Sequence, residues 1–371
     1  MSPKVAVIGG GLFGSVASCH LSRNGYEVHL FEKNESLLSG TTARNTNRLH
    51  LGFHYPRDWE TASQSLQAAS KFIEEFPKAI RPQFPNYYGL ARQGSKTSLP
   101  DYRNFLEAMG LDADPVRDPI GLLPSLGFQP ELLHGLWQTD ETVIDVEVLA
   151  QHLSEDLTNL GVKTSLGNEV KEVARTSQHT WKVAHQFGSD EFDFVVKATY
   201  GSDHVHDNFE KSVSLMKKFE VTLVLEVHIE APAFGLTILD GDFLTLLPKG
   251  LGPMTFLYAP GPSVLRTSEG IRLDEDFLDV ERDDIRLGRE QILQRLKDWL
   301  PNVGKLEVVE EHLGLRALLH NVEATDARPS FVRQISANYF EIWAGKLDHS
   351  VSIAEDLVER FRAATGASSF D

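Results

Sequence analysis

Apolar positions first gather in the unbroken run Val5-Ala6-Val7-Ile8, the pattern of a strand buried on both faces. Ser15 to Asn24 then has helical spacing and stops at Gly25, and Glu27 to Phe31 reads as a second strand ending beside Glu32. Asp58 to Phe76 has helical periodicity, with Leu66, Ala69, Phe72 and Ile73 as its expected buried stripe, and Pro77 to Pro85 breaks it. Asn86 to Arg92 reads as a strand, and Leu99 to Met109, around Pro100, as another helix. Asp112 to Pro130, rich in Pro, Gly and Asp, reads as loop, either a lid or a crossing between domains.

A helix follows over Val146 to Leu160, with Asp145 as N-cap and Gly161 as its end. Val162 to Thr164, Val170 to Val173, Thr180 to His185 and Phe192 to Val196 read as successive strands. The last runs into Ala198-Thr199-Tyr200-Gly201, small residues and glycine where a ligand or helix can come close. From Lys217 the texture changes. Lys217 to His228, Leu236 to Asp240, Phe243 to Pro248, Met254 to Ala259 and Ser263 to Thr267 are strands without intervening helices, which predicts a locally made antiparallel sheet. Asp279 to Leu300 is an amphipathic helix expected to bury Ile285, Leu287, Ile292 and Leu296, and Lys305 to Leu315 is a strand running into Arg316. Tyr339 to Ser350 then reads as strand, glycine turn (Gly345) and the start of a helix with Val351, Ala354, Val358 and Phe361 on the apolar face.

Composition narrows the classes. The chain has 371 residues, enough for two domains, and a net charge of -17, which argues against nucleic acid or an anionic membrane surface as the main partner. Its single cysteine, Cys19, allows no intrachain disulfide and is expected to act as a small buried hydrophobe. No apolar run reaches the length of a membrane span, and the first strand starts within four residues of Met1, so the expectation is a cytoplasmic protein with no membrane span.

The candidate chemistry begins with Gly9, Gly11 and Gly14, which fit G-x-G-x-x-G between a strand and a helix. Gly9 permits the tight turn, Gly11 lets backbone N–H groups approach a pyrophosphate, and Gly14 lets helix and strand pack closely. Glu32, about 20 residues on, is placed to accept hydrogen bonds from a ribose. Thr41 to Arg57 concentrates Arg, Asn, His and Tyr between short apolar steps, either as a polar surface loop or as a lining for the reactive end of a cofactor. His50 and His54 sit in no metal motif, so no metal site is expected.

With these pieces in order the chain resembles the flavin-dependent oxidoreductases of the D-amino-acid oxidase and glycine oxidase superfamily. The resemblance rests on Gly9, Gly11, Gly14 and Glu32, on Ala198-Thr199-Tyr200-Gly201 (an Ala-Thr-Gly strand end with an inserted tyrosine) and on the closing Gly345-Lys346 turn. It implies an α/β chain, α+β overall. A Rossmann-like FAD-binding domain of the glutathione-reductase type would take residues 1–80, 141–210 and 325–371. An inserted, mainly antiparallel β-sheet substrate domain would take 81–140 and 211–324. FAD is the implied cofactor. Its implied contacts include Leu12, Phe13, Lys33, Thr41 and Arg44, then Asn45, Asn47, Arg48, Leu49 and His50, and further on Val170, Arg316 and Leu347.

Gly314-Leu315-Arg316 followed by Asp326-Ala327-Arg328-Pro329 resembles the segment that supplies a carboxylate-binding arginine in amino-acid-oxidising members, with Ala317 in place of the usual proline. A guanidinium suits a carboxylate because its fork meets both oxygens, and the alternative role for Arg316 is an interdomain salt bridge. His50, Gly52 and Tyr55 resemble the His-x-Gly-x-x-Tyr loop of the 2-hydroxyglutarate dehydrogenase branch. The implied catalytic groups are His50, Arg316 and Lys346, with His54, Tyr55 and Tyr258 beside the substrate. The leading expectation is hydride removal from a C–H next to an amine of a small carboxylate-bearing substrate, with O2 or another acceptor regenerating the flavin. The same fold oxidising a 2-hydroxy acid, with His50 as base, is the runner-up. Gly11-Leu12-Phe13-Gly14 also resembles the start of UDP-galactopyranose mutase, a non-redox flavoenzyme, and a nicotinamide dehydrogenase or a non-catalytic nucleotide-binding protein are the remaining alternatives.

Overall fold

The computed structural model describes residues 2–116, 121–176, 180–201, 205–207, 215–240, 244–274, 276–320 and 327–365. The expected strand start at Phe243 and the expected turn residue Asp326 lie outside the described residues.

A six-stranded sheet is built around the first strand. Its order is β20 (Phe331–Ser336), β21 (Tyr339–Trp343), β12 (Phe194–Lys197), β1 (Lys4–Ile8), β2 (Glu27–Phe31) and β8 (Lys163–Ser165). All pairings are parallel except β20 with β21. Alternate residues of β1 serve opposite faces. Val5 and Val7 pack under α1 (Leu12–Arg23), α5 (Val146–Asn159) and α7 (Ser350–Thr365), while Ala6 and Ile8 face the strands described next. The other face is covered by a four-stranded sheet of β11 (Gly188–Phe192), β10 (Trp181–His185), β9 (Val170–Arg175) and β13 (His206–Asp207), with Trp181 at its centre. Being covered on both sides is why β1 and β12 read as continuous apolar runs.

The second large sheet has nine strands, in the order β18 (Val264–Gly270), β14 (Lys217–Ile229), β17 (Thr255–Tyr258), β16 (Thr245–Pro248), β15 (Gly235–Leu239), β4 (Asn86–Ala91), β6 (Leu133–Thr139) and β5 (Ala113–Pro115), with β19 (Leu306–Leu319) also on β14. Only β15 with β4 is parallel. α6 (Arg282–Trp299) covers one face through Ile292, Leu296 and Trp299, and α3 (Leu99–Met109) covers the other through Tyr102, Phe105 and Leu106. A two-residue ladder, β3 (Arg48–Leu49) with β7 (Thr142–Val143), stands between the large sheets. The remaining helices are α2 (Trp59–Glu75) and the short α4 (Leu122–Ser125).

Most of the expected elements are present, and the differences have physical causes. α1 starts at Leu12 rather than Ser15, directly after Gly11. The expected strand Phe192 to Val196 is two strands, divided at Asp193, whose backbone and carboxylate both bond to Lys4. The strand expected to stop at Leu315 continues through Arg316 to Leu319, because its whole length pairs with β14. The region 112–130 holds β5 and α4 as well as loop. Ile73 and Leu287 are exposed, at 39% and 49%. α2 instead buries Thr61, Ala62, Ser65, Ala68, Ala69 and Phe72, since small residues let it approach the 3-10 turn at Leu347–His349 closely, where the Ser65 hydroxyl lies 3.2 Å from His349 Nε2. On α6 the stripe runs through Gly288, where a Cβ would come within 2.7 Å of Leu265, and Leu287 is rotated off it. Asp145 caps α5 as expected, its Oδ1 accepting from the N–H groups of Glu147 and Val148 at 3.0 Å each. Cys19 is buried, and burial pushes its thiol up to about 12. Among the described residues no helix is long and apolar enough to cross a membrane.

Candidate flavin cleft

A cleft of about 670 Å³ runs from the glycine turn after β1 to the inner face of the nine-stranded sheet. One end is built from backbone. Gly9 has φ +109°, and a Cβ there would meet Ala198 O at 2.5 Å; a Cβ on Gly14 would meet Gly9 O at 1.9 Å. Both glycines are therefore required by the protein's own packing. Gly11 differs: its nearest neighbour, Thr42 Oγ1, is 4.0 Å from a built Cβ, so its bare face opens to the cleft ahead of α1. That is the cradle a pyrophosphate needs, with N–H groups of the first helical turn beside it. Glu32, at the end of β2, accepts from Gly10 N at 2.6 Å and from Asn34 N at 2.8 Å. These two bonds fix the loop, and a carboxylate has further lone pairs for ribose hydroxyls. FAD fits this arrangement of open glycine face, helix start and carboxylate.

The middle of the cleft is a strap, Thr41 to Arg44, tied to β19. Thr41 Oγ1 donates to Leu315 O at 3.0 Å, Arg44 Nη1 donates to Leu313 O at 3.3 Å, and a Cβ on Gly314 would strike Arg44 O at 2.7 Å. The Asn45 side chain turns back onto its own loop, its Nδ2 donating to Thr41 O and its Oδ1 accepting from Asn47 N.

The far end is built from side chains. Arg48, His50, His54, Tyr258, Arg316 and Lys346 line it. Lys346 Nζ lies 3.4 Å from His50 Nε2 and 4.6 Å from the centre of the Tyr55 ring. Burial, reinforced by the charges of Lys346 and Arg48, holds both His50 and His54 well below the ordinary imidazole range. Both rings are therefore neutral at neutral pH. Burial also pulls Lys346 below the usual lysine value, against the pull of Asp348. Arg316 donates through Nε to Glu220 Oε2 at 2.6 Å and through Nη1 to the Tyr258 hydroxyl at 2.9 Å. Burial opposes its charge, but Tyr258 and Glu220 raise its pKa above the ordinary arginine value.

Of the residues singled out from the sequence, Gly9, Gly11, Leu12, Phe13, Glu32, Lys33, Thr41, Arg44, Asn45, Val170, Ala198, Thr199, Gly345 and Leu347 also line the cleft. Gly14, Asn47, Leu49, Tyr55 and Gly201 do not: they lie behind its wall, where Gly14 and Gly201 permit close packing and Leu49 and Tyr55 are buried. A Cβ on Gly345 would meet Arg328 O at 2.1 Å, which explains glycine at that turn. Sequence reasoning missed Glu141, Tyr88 and Thr237, which stand behind Arg48, and the only local sign of Glu141 was an acidic residue ahead of the apolar run Thr142–Ile144. It noticed Tyr200 only as an insertion. In the fold Tyr200 adopts φ 59° and its hydroxyl accepts from Ala317 N at 3.1 Å, bracing β19 beside Arg316.

Comparison with known proteins agrees with this geometry. The FAD dependent oxidoreductase (DAO) family model matches residues 4–342. The FAD-dependent monooxygenase FPY4 of Fusarium mangiferae is 27% identical over 248 residues, which are 66% of this chain and 60% of that protein, so the chain spans about three-fifths of that relative. Among solved structures, glycine oxidase from Geobacillus kaustophilus superposes with a TM-score of 0.74 at 14% identity, covering 100% of this chain and 97% of that one. L-α-glycerophosphate oxidase from Mycoplasma pneumoniae gives 0.76 at 16% identity, covering 98% and 95%. The family match begins in the strand that makes the glycine turn and ends in the strand before Lys346, and on that ground the chain belongs to the DAO family of FAD-dependent oxidoreductases.

Proposed function

We propose that the enzyme oxidises the C–H bond next to an amine in a small carboxylate-bearing substrate. Bound FAD supplies the two-electron acceptor, taking the hydride at N5, and O2 or another acceptor regenerates it. The observation that carries this reading is Arg316. Glu220 engages its Nε and Nη2 and Tyr258 its Nη1, which holds the guanidinium at the cleft wall while its side chain remains 34% exposed. A guanidinium has five N–H groups, so donors remain for a carboxylate. Lys346 adds positive charge at the same end, which favours an anionic substrate and negative charge on the reduced cofactor. His50, kept neutral beside Lys346, supports the second reading, in which it takes the proton of a 2-hydroxy acid.

In this proposal residues 1–80, 141–210 and 325–371 hold the cofactor, and 81–140 and 211–324 form the substrate side. Its support is that the six-stranded sheet draws every strand from the first set and the nine-stranded sheet every strand from the second.

The test is anaerobic bleaching of the flavin absorbance by panels of amino acids, N-alkyl amino acids, decarboxylated amines and 2-hydroxy acids. Bleaching by the amino-acid panel and not by the decarboxylated amines is the expected result. Bleaching by hydroxy acids alone selects the second reading. A product that gains one oxygen atom from O2 would instead align the chain with the monooxygenases among its relatives.

A further inference from the structure

We propose that Glu141, which does not line the cleft, is a positioning residue for its side-chain end, acting through Arg48 and the backbone after His50. Glu141 sits between β6 and β7, where the chain leaves the nine-stranded sheet for the small ladder with β3, and its side chain is fully buried. One carboxylate oxygen, Oε2, accepts from Arg48 Nη1 at 3.1 Å and from the Tyr88 hydroxyl on β4. The other, Oε1, accepts from Leu51 N at 2.8 Å and lies 3.9 Å from His50 Nδ1. Arg48 extends the same network by donating to Tyr88 and to Thr237 on β15. The carboxylate and Arg48 together thus gather β3, the turn that carries His50, and two strands of the nine-stranded sheet.

Stability alone does not account for these groups. A buried ion pair repays its desolvation poorly, and an apolar pair of the same volume would pack at least as well. Burial pushes Glu141 up to about 7 despite the neighbouring guanidinium, so the cost of keeping it here is real. What the pair provides is direction. Arg48 and His50 both face the cleft; Glu141 bonds Arg48 from behind and fixes the backbone directly after His50, while the His50 ring itself meets Lys346 on the wall. Without that support the wall must be ordered at the moment of binding, and the ordering cost falls on the ligand.

The inference rests on the cleft being the FAD site, and FAD affinity is its first readout. Glu141→Gln keeps the volume and removes the charge. The expected result is a cofactor-free protein that melts near wild type but binds FAD about tenfold more weakly, with slower substrate bleaching at saturating FAD. Glu141→Asp is expected to restore part of both. Because an unpaired Arg48 can unfold the chain, Tyr88→Phe serves as a second variant, removing the two bonds of that hydroxyl while leaving the Arg48–Glu141 pair intact; its effect is expected in the same direction and smaller. Wild-type FAD affinity and bleaching rate in folded Glu141→Gln, or in Tyr88→Phe when the first does not fold, would overturn the proposal. So would an FAD loss no larger than the loss of cofactor-free stability. A wild-type protein with no affinity for FAD would remove the cleft reading itself, and this proposal with it.

Discussion

The two ends of the cleft are made by different means. The glycine end consists mainly of backbone from one stretch of about thirty residues, with the Glu32 carboxylate and the Ser15 hydroxyl tying the loop. The far end consists of side chains brought from β3, β17, β19 and the turn before α7, supported by Glu141 from the link between β6 and β7. A backbone site is encoded where it stands, because glycine spacing fixes both turn and helix start. A side-chain site is encoded in the topology, and each member looks ordinary in its own neighbourhood. The first kind serves a cofactor shared by many enzymes, and the second kind can vary with the substrate.

The comparison breaks most readily at the glycines. Gly14→Ala would force a Cβ to 1.9 Å from Gly9 O, so the expected outcome is little folded, yellow protein, read by thermal melting and flavin absorbance. Gly11→Ala has room within the protein, so the cofactor-free form is expected to melt as wild type while FAD binds at least about tenfold more weakly. Equal behaviour of the two variants would erase the distinction between glycines kept for the fold and one kept for the ligand.

At the other end, Arg316→Met is expected to raise KM for carboxylate substrates roughly tenfold to a hundredfold, the range of a lost charge-assisted hydrogen bond, with a smaller change in kcat. Pairing it with Glu220→Gln removes the buried carboxylate, which would otherwise keep only Lys218 as its cationic partner. Lys346 gives a pH signature. Burial lowers its pKa, so its charge is present at low pH and is lost as pH rises through that lowered value. For an anionic substrate kcat/KM should therefore fall by about tenfold per pH unit, starting well below the ordinary lysine value of about 10.4, and Lys346→Met should lack that limb. The smallest effect lies outside the cleft. Asp145→Ala removes the cap of α5 and a bond from Leu251 N at 2.7 Å, costing about 1 kcal/mol of stability with FAD affinity unchanged.

What could be read from the sequence follows the same division. The glycine turn after β1, the Asp145 cap and the apolar face of α7 each depend on local spacing, and each is present, with α1 starting three residues earlier than the pattern put it. Ile73 and Leu287 misled because periodicity ranks residues by apolarity, whereas α2 and α6 approach their neighbours through small residues, Ser65 and Gly288 among them. β6 and β20 carry mixed polar and apolar residues, which give little periodic signal, and were absent from the sequence reading. The Arg48–Glu141 contact joins residues 93 apart through a β-ladder of two residues, too short to leave a pattern.

The order of strands in the six-stranded sheet has a consequence for how the chain is made. β1 lies at its centre, yet its neighbour β12 is synthesised nearly 190 residues later, and β21, which closes that side, nearly 150 residues after that. The glycine turn therefore leaves the ribosome long before the strands that cover it. Until then an apolar central strand, paired on one side with the early β2, waits with its other edge open, the circumstance in which chaperones bind and chains aggregate. Adding FAD during refolding should not speed the early steps, because the glycine turn it recognises is set against Ala198 only once β12 has docked beside β1.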